Sequence, residues 1–382
     1  MTLQSEATLR PSIQPRQPRV TLLDLTREYR LLRDEMLAAC ERVLDRMHLL
    51  GGNEVKSFEA EMAAHLGVEH VRGVASGTDA LWLALRALGV GRGDEVLVQA
   101  NAFVAAVEAI RDVDAMPVPI DVRDDDLGPD PDLLAAAIGP RTRAIVVVHL
   151  YGIPVEMRPI LDLARRHDLL VLEDCSHAHG ARLRGACTGT FGHLGAFSLG
   201  VVKNLAAYGD AGMVTTRDGH LADLVGHLGT HGQVNKNEHS LYGTNSRLDE
   251  LHAAMLRVKL PYLDARNRRR REIAAYYDGR LAGCVVTPFT APDRESVYHQ
   301  YVIRTPRREA LRASLAADGI DTGIHYPTPV HRQPAWQRTV GPSPSLPVAE
   351  RTANELLSLP VYPDLTDAEV ERVADGVSRF FS

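Results

Sequence analysis

The chain has 382 residues, 45% of them hydrophobic and 24% charged, a globular composition with room for more than one packed unit. Its formal net charge of -6 and pI of about 6.2 argue against a nucleic-acid binder, and no apolar run is long enough to span a bilayer. Four cysteines, Cys40, Cys175, Cys187 and Cys284, form no CxxC and make no disulfide scaffold, which suits a reducing cytoplasm.

The first twenty residues are polar and rich in Pro and Arg, without the apolar block of a secretory signal, and read as a mobile tail over 1–21. Apolar residues then recur in steps of three and four from Tyr29 through Leu32, Met36, Cys40, Val43 and Met47, which predicts an amphipathic helix over 25–47. GGNEVKSFEAEMAAHLG is a turn and a second helix. Next, the apolar runs HVRGVAS, DEVLVQA, AMPVPIDV, RAIVVVHL and DLLVLED alternate with the helical stretches TDALWLALRALG, FVAAVEAIRDV, PDLLAAAI and RPILDLARRH. Such alternation predicts an α/β fold whose mostly parallel sheet is covered on both faces. AFSLG and AGMVTT add two strands.

After about Leu260 the pattern changes. The Arg-rich helix DARNRRRREIAAYYDGRL, the strand VYHQYVIR and the helices RREALRASLAADG, AERTANELLSL and DAEVERVADGVSRFF predict a smaller α+β unit. The expected organisation is a tail over 1–21, a large domain over 22–260 and a small C-terminal domain over 261–382.

In open α/β sheets ligands bind beyond the carboxyl ends of the strands, so the loops there carry the candidates. Gly77 and Thr78 open a helix after the first strand; a helix N-terminus with a close-approaching glycine and a free hydroxyl suits a phosphate, and it also reads as a plain N-cap. The glycine-rich GVGRGDE lies between a helix and a strand and does not match GxGxxG, so a dinucleotide site is not supported. Phe103 could stack on a flat ring or belong to the core. Asp174 ends a strand as a partly buried carboxylate, which needs a partner such as a protonated ring nitrogen. Cys175, His177 and His179 form a CxHxH that is not a usual zinc spacing, and no second ligand pair stands out, so no metal is expected. In GAFSLGVVKNLAAYGDAG, Ser198 is a strand-end hydroxyl and Lys203 a lone amine among small and apolar residues. A lone lysine is ordinarily a solvated surface group. Beside a phosphate cradle, a stacking ring and a carboxylate it becomes the amine that captures an aldehyde, and the four handles together are those of pyridoxal 5'-phosphate (PLP).

The motifs SGTDAL, GDEVLVQANAF, AMPVPIDV, EDCSHAHGA, AFSLGVVKNLAAYGDAG and GTNSRLDELHAAML, in this order, make the chain from about Leu22 onward resemble the DegT/StrS family of PLP-dependent, fold-type I nucleotide-sugar aminotransferases. The resemblance implies that Lys203 holds PLP and moves protons, that Asp174 pairs with the ring nitrogen, and that His177 bonds the ring hydroxyl. Phe103 would stack on the ring, and Gly77, Thr78 and Ser198 would bind the phosphate. Asn245 would reach the phosphate of the neighbouring subunit, which implies a homodimer with shared active sites; from the residues alone it is equally a turn residue. A lysine at position 203, where related dehydratases carry histidine, implies transamination.

SVYHQYVIR and GIDTGIHYPTPVHRQPAW are similar to enzymes that aminate C-3 of dTDP-linked keto-deoxyhexoses, with His325 and Tyr326 facing the sugar nucleotide. The implied reaction takes an amino group from glutamate or glutamine, with no nucleic-acid or membrane partner. A C-4 keto-sugar or keto-cyclitol acceptor, or a regulatory protein on the same fold without turnover, are the alternatives. The chain departs from the family with Gly200-Val201-Val202 where an aromatic residue and a proline usually precede the lysine, NAF for NTF, and GDAG for GDGG.

Overall fold

The computed structural model describes residues 18–289 and 291–382. A seven-stranded sheet forms the centre, built from β1 (His70–Val74), β2 (Glu95–Gln99), β3 (Met116–Ile120), β4 (Thr142–Val148), β5 (Leu170–Asp174), β6 (Leu194–Ser198) and β7 (Gly212–Thr216). The spatial order is β1-β7-β6-β5-β4-β2-β3. The pairs β2–β3, β2–β4, β4–β5 and β5–β6 are parallel, and β7 runs antiparallel to both its neighbours. Every predicted strand of this region is present.

Side chains alternate across the sheet because the strand period is two. Val96, Val98, Ala144, Val146 and Val148 join one buried cluster with α3 (Gly77–Ala87) and α4 (Val104–Asp112). Leu97, Ile145, Val147 and Val171 enter another with α5 (Pro131–Ala137) and α6 (Met157–Arg166). Toward β7 and β1, Phe58 and Met62 of α2 (Asn53–Leu66) and Leu256 of α8 (Glu250–Lys259) pack with Phe197 and Met213. The helix over 25–47 is observed as α1 (Leu25–Arg46), and α7 (Gly219–Gly229) precedes α8.

The C-terminal unit packs α9 (Leu263–Leu281), α10 (Arg308–Ala317) and α12 (Asp367–Phe381) around an antiparallel pair, β8 (Tyr301–Arg304) with β9 (Leu356–Leu359). Here the structure differs from the sequence reading. AERTANELLSL is not one helix: α11 (Pro347–Glu355) stops at Glu355, and Leu356–Leu359, wholly buried, pairs residue for residue with Tyr301–Arg304. Residues 1–17 of the expected tail lie outside the described residues, whereas Val20, within its span, is fully buried in the C-terminal core and bridges Ile320.

Candidate active site

The carboxyl ends of β1, β4, β5 and β6 open on a cavity of about 290 Å³. Among its lining residues are Gly77, Thr78, Phe103, Asp174, His177, Ser198 and Lys203, seven of the residues singled out from sequence.

One end is the start of α3. Ser76 caps it, its Oγ accepting from Asp79 N–H at 3.1 Å, and Ser76, Gly77 and Thr78 all line the cavity, which sets the positive end of the helix dipole at its wall. Gly77 lies so close to the end of β6 that a Cβ there would sit 2.5 Å from Ser198 Cβ. Thr78 Oγ1 has no hydrogen bond among the described residues.

Asp174 is 4% exposed, and one of its oxygens accepts from Ser176 N–H at 3.0 Å. It faces the cavity because its neighbour faces the opposite way. Glu173, fully buried, accepts from Phe191 N–H and Gly192 N–H at 2.8 Å each through Oε1, and from Gly189 N–H and His149 Nε2–H at 2.9 Å each through Oε2. His149 Nδ1 accepts from Val155 N–H at 3.0 Å, which leaves the proton on Nε2. His149, Glu173 and Cys175 bring potential ligand atoms within 4.8 Å of one another, yet His149 and Glu173 are saturated with hydrogen bonds, so the trio is a structural knot.

Lys203 follows a tight turn, its N–H donating to Gly200 C=O. Its Nζ makes no hydrogen bond or ion pair among the described residues. Burial pulls its pKa down to about 8, with Asp174 pulling the other way. Val201 and Val202, 41% and 47% exposed, form an apolar lip beside it.

His177 Nδ1 accepts from Tyr151 N–H at 3.3 Å, so its proton sits on Nε2, which lies 3.5 Å from Tyr326 Oη. Burial holds its pKa well below the ordinary histidine range, and Lys203 adds to this. Phe103, the residue before α4, is 48% exposed, its ring 5.2 Å from that of Tyr326. His325 turns away: its Nδ1 shares a hydrogen bond with Ser358 Oγ at 2.8 Å, and its carbonyl accepts from Tyr151 Oη. Asn245 is exposed, bridges Thr230, accepts from Arg247 Nε at 3.1 Å, and does not line its own chain's cavity.

The sequence reading missed Tyr151, Asn204 and His299. Tyr151 sits in the left-handed region at φ 60° just beyond β4, a strand-end position that could have marked it. Asn204 follows the lysine directly. His299 lies inside SVYHQYVIR, but that segment by itself gives the histidine no role, because its partners come from distant segments.

A cradle that a Cβ would fill, an unpartnered hydroxyl, a buried carboxylate and an unpartnered amine of lowered pKa fit PLP. The comparisons decide the family. The model of the DegT/DnrJ/EryC1/StrS aminotransferase family matches residues 31–378.

The chain belongs to this family.

It is a PLP-dependent aminotransferase of fold type I. It is similar to the dTDP-3-amino-3,4,6-trideoxy-alpha-D-glucose transaminase of Streptomyces venezuelae, 47% identical over 94% of this chain and 96% of that protein. The crystal structure of DesV from S. venezuelae in complex with a ketimine intermediate superposes with a TM-score of 0.94, at 46% identity, covering 96% of this chain and 99% of that one. NtdA from Bacillus subtilis, solved with bound cofactor PMP, superposes at 0.87 with 28% identity, covering 98% of this chain and 86% of the other.

Proposed function

We propose that this aminotransferase moves an amino group from glutamate or glutamine to the C-3 ketone of a dTDP-linked keto-deoxyhexose, making an amino-sugar nucleotide. The observation that carries the reading is the unpartnered amine of Lys203 opposite Asp174 in the cavity at the sheet's edge, in a chain so similar to a dTDP-3-amino-3,4,6-trideoxy-alpha-D-glucose transaminase.

PLP, when bound, supplies an electron sink for the charge left when the donor's α-proton departs, and it carries the amino group between half-reactions. The residues of this chain do the rest. Lys203 would hold the cofactor, then, released as a neutral base, take the proton from the donor carbon and later return one to the sugar carbon. Its lowered pKa raises the free-base share near neutral pH by roughly two orders of magnitude over an ordinary lysine. Asp174 would keep the ring nitrogen protonated, and His177 Nε2–H would donate to the ring's hydroxyl oxygen. Gly77, Thr78 and Ser198 would hold the phosphate, and Phe103 would cover a face of the ring. Tyr326, beside Phe103 and His177, would meet the sugar, and His325 would set the path of that segment from behind.

The protein would act as a homodimer. Asn245 stands exposed and outside its own cavity, and α1 presents Leu37 and Leu44, seven residues apart and so on one face, to solvent, an apolar pair suited to a second subunit. Four unpaired cysteines suit the cytoplasm.

Lys203→Ala is the first test. The variant should take up no covalently held PLP after borohydride reduction and lose turnover by roughly three orders of magnitude or more. The second test offers 3-keto and 4-keto sugar nucleotides and a keto-cyclitol to the amino-loaded enzyme, locating the new amine by NMR. An amine at C-3 is expected; an amine at C-4, or on the cyclitol alone, overturns the substrate assignment.

A further inference from the structure

Lys203 and His177 come from different strand-end loops, yet the catalysis proposed above needs them in fixed relation. Asn204 begins the connection. Its Nδ2 donates to Asn267 Oδ1 of α9 and to Val297 C=O, both at 3.0 Å. With its donors committed, Asn204 Oδ1 accepts, and the partner at 3.1 Å is His299 Nδ1. His299 therefore carries its proton on Nδ1. Asn267 is anchored in turn, its Nδ2 donating to His179 C=O at 2.8 Å.

The imidazole of His299 is 6% exposed and lies against that of His177, ring centres 4.3 Å apart and planes tilted by 38°. Its backbone is held too. The segment around it is hydrogen-bonded to the loop after β4, Val297 N–H to Gly152 C=O at 3.0 Å and Gln300 N–H to Tyr151 C=O at 3.3 Å. Gly152, at φ 89°, makes room: a Cβ there would lie 2.8 Å from His177 C=O and 3.0 Å from His299 N. The loop that pins His177 Nδ1 through Tyr151 N–H thus also pins the segment carrying His299. Burial keeps both imidazoles neutral, so no charge repulsion opposes their contact.

We propose that His299 is a positioning residue that coordinates the two halves of the site: through Asn204 it fixes the turn that presents Lys203, and through its ring it fixes the plane in which His177 Nε2–H points into the cavity. This rests on the roles assigned above to Lys203 and His177.

Two variants separate the two halves. His299→Phe keeps a ring against His177 and loses the bond to Asn204. His299→Asn keeps a donor toward Asn204 and loses the ring. Each is purified as apoprotein; PLP capture is followed by stopped flow, and the visible spectrum of the loaded protein is recorded alongside its melting curve. His299→Phe should capture PLP about five- to tenfold more slowly, the worth of one buried hydrogen bond, with its absorption maximum unchanged. His299→Asn should capture PLP within about twofold of the wild-type rate and show a displaced absorption maximum, because the donor to the ring hydroxyl is no longer held in plane. Asn204→Ala should slow capture like His299→Phe, and the double variant should be no slower than either alone. Should one variant not fold, Asn204→Ala still tests the lysine half, and His177→Phe supplies the reference spectrum for the other.

Wild-type capture rate and spectrum in both His299 variants, or equal losses in both that merely follow a lowered melting temperature, overturns the inference. The assays use no sugar. Wild-type protein in which PLP is not attached to Lys203 refutes the proposed function instead, and borohydride reduction of the wild type distinguishes the two failures.

Discussion

In the proposed reaction the amine of Lys203 would have two uses, capture of the cofactor and transfer of protons, and both need it uncharged. Its pKa is pulled down to about 8 by burial, so the sign is clear. Below that pH the protonated amine cannot attack, and capture of PLP by the apoprotein should speed up as pH rises, reaching half its plateau near 8. An ordinary exposed lysine would still be climbing at 10, and a capture rate still rising there would contradict the burial argument. Gly77 is the second residue with a narrow requirement. Gly77→Ala sets a methyl 2.5 Å from Ser198 Cβ and 2.8 Å from Ser198 Cα, and it can be seated only by moving the start of α3 away from β6. PLP affinity, measured by equilibrium dialysis, should fall about tenfold or more, with a stability loss of about 1–3 kcal/mol. Unchanged affinity would remove the phosphate from that cradle.

At the scale of elements, β5 is the strand that the site depends on most. Its last two residues point to opposite faces, Asp174 into the cavity and Glu173 into a knot of four donors that holds the 189–192 loop against the far face. Glu173→Gln replaces one acceptor oxygen by an N–H₂ group, and either amide orientation opposes two donors. The expected cost is about 3 kcal/mol, read as a lower denaturant midpoint. An unchanged midpoint would mean that the loop anchors elsewhere. Elements also mark the boundary of what sequence could tell. The Val- and Ile-rich strands and the 3.6-residue periodicity of α1 are properties of single segments, and they stood out. LLSL carries no period that separates helix from strand; its state is decided by Tyr301–Arg304, which offers it a complete antiparallel ladder in a dry core. Val20 is the same lesson at the N-terminus. A valine at the end of a polar, Pro- and Arg-rich stretch means little until Ile320 and the C-terminal core receive it.

Across the whole molecule, buried and half-buried charges tie the N-terminal helix to the C-terminal unit. Glu28 of α1 meets Lys259 at 2.7 Å and Arg266 at 3.3 Å, Arg266 meets Asp364 at 2.6 Å, and Arg27 meets Glu369 at 2.6 Å. Breaking one partner of such a network leaves an uncompensated charge, so the relative placement of the units, and with it the seat of Tyr326 and His299, is held firmly. If Asn245 completes the neighbouring subunit's site, then Lys203→Ala and Asn245→Ala subunits, each defective alone, should complement when mixed. Half of the randomly formed dimers would be hybrids, each with one intact site, restoring about a quarter of wild-type activity. Failure to recover activity in hybrids verified by mass would place Asn245 in its own chain's structure only.

The sequence by itself determined the α/β architecture and the family, and it marked seven residues that the fold brings to one cavity, because short motifs at strand ends are local and their order survives without any knowledge of packing. The tertiary structure decided which atom of each group is on offer. The proton of His177 stands on Nε2 because Tyr151 N–H, 26 residues away, occupies Nδ1. The proton of His299 stands on Nδ1 because Asn204, 95 residues away, has only an oxygen left to present. His325 faces Ser358 rather than the cavity through a bond to β9. Hydrogen-bond direction and burial depend on what other segments bring to the same few ångströms, and no reading of one segment contains that.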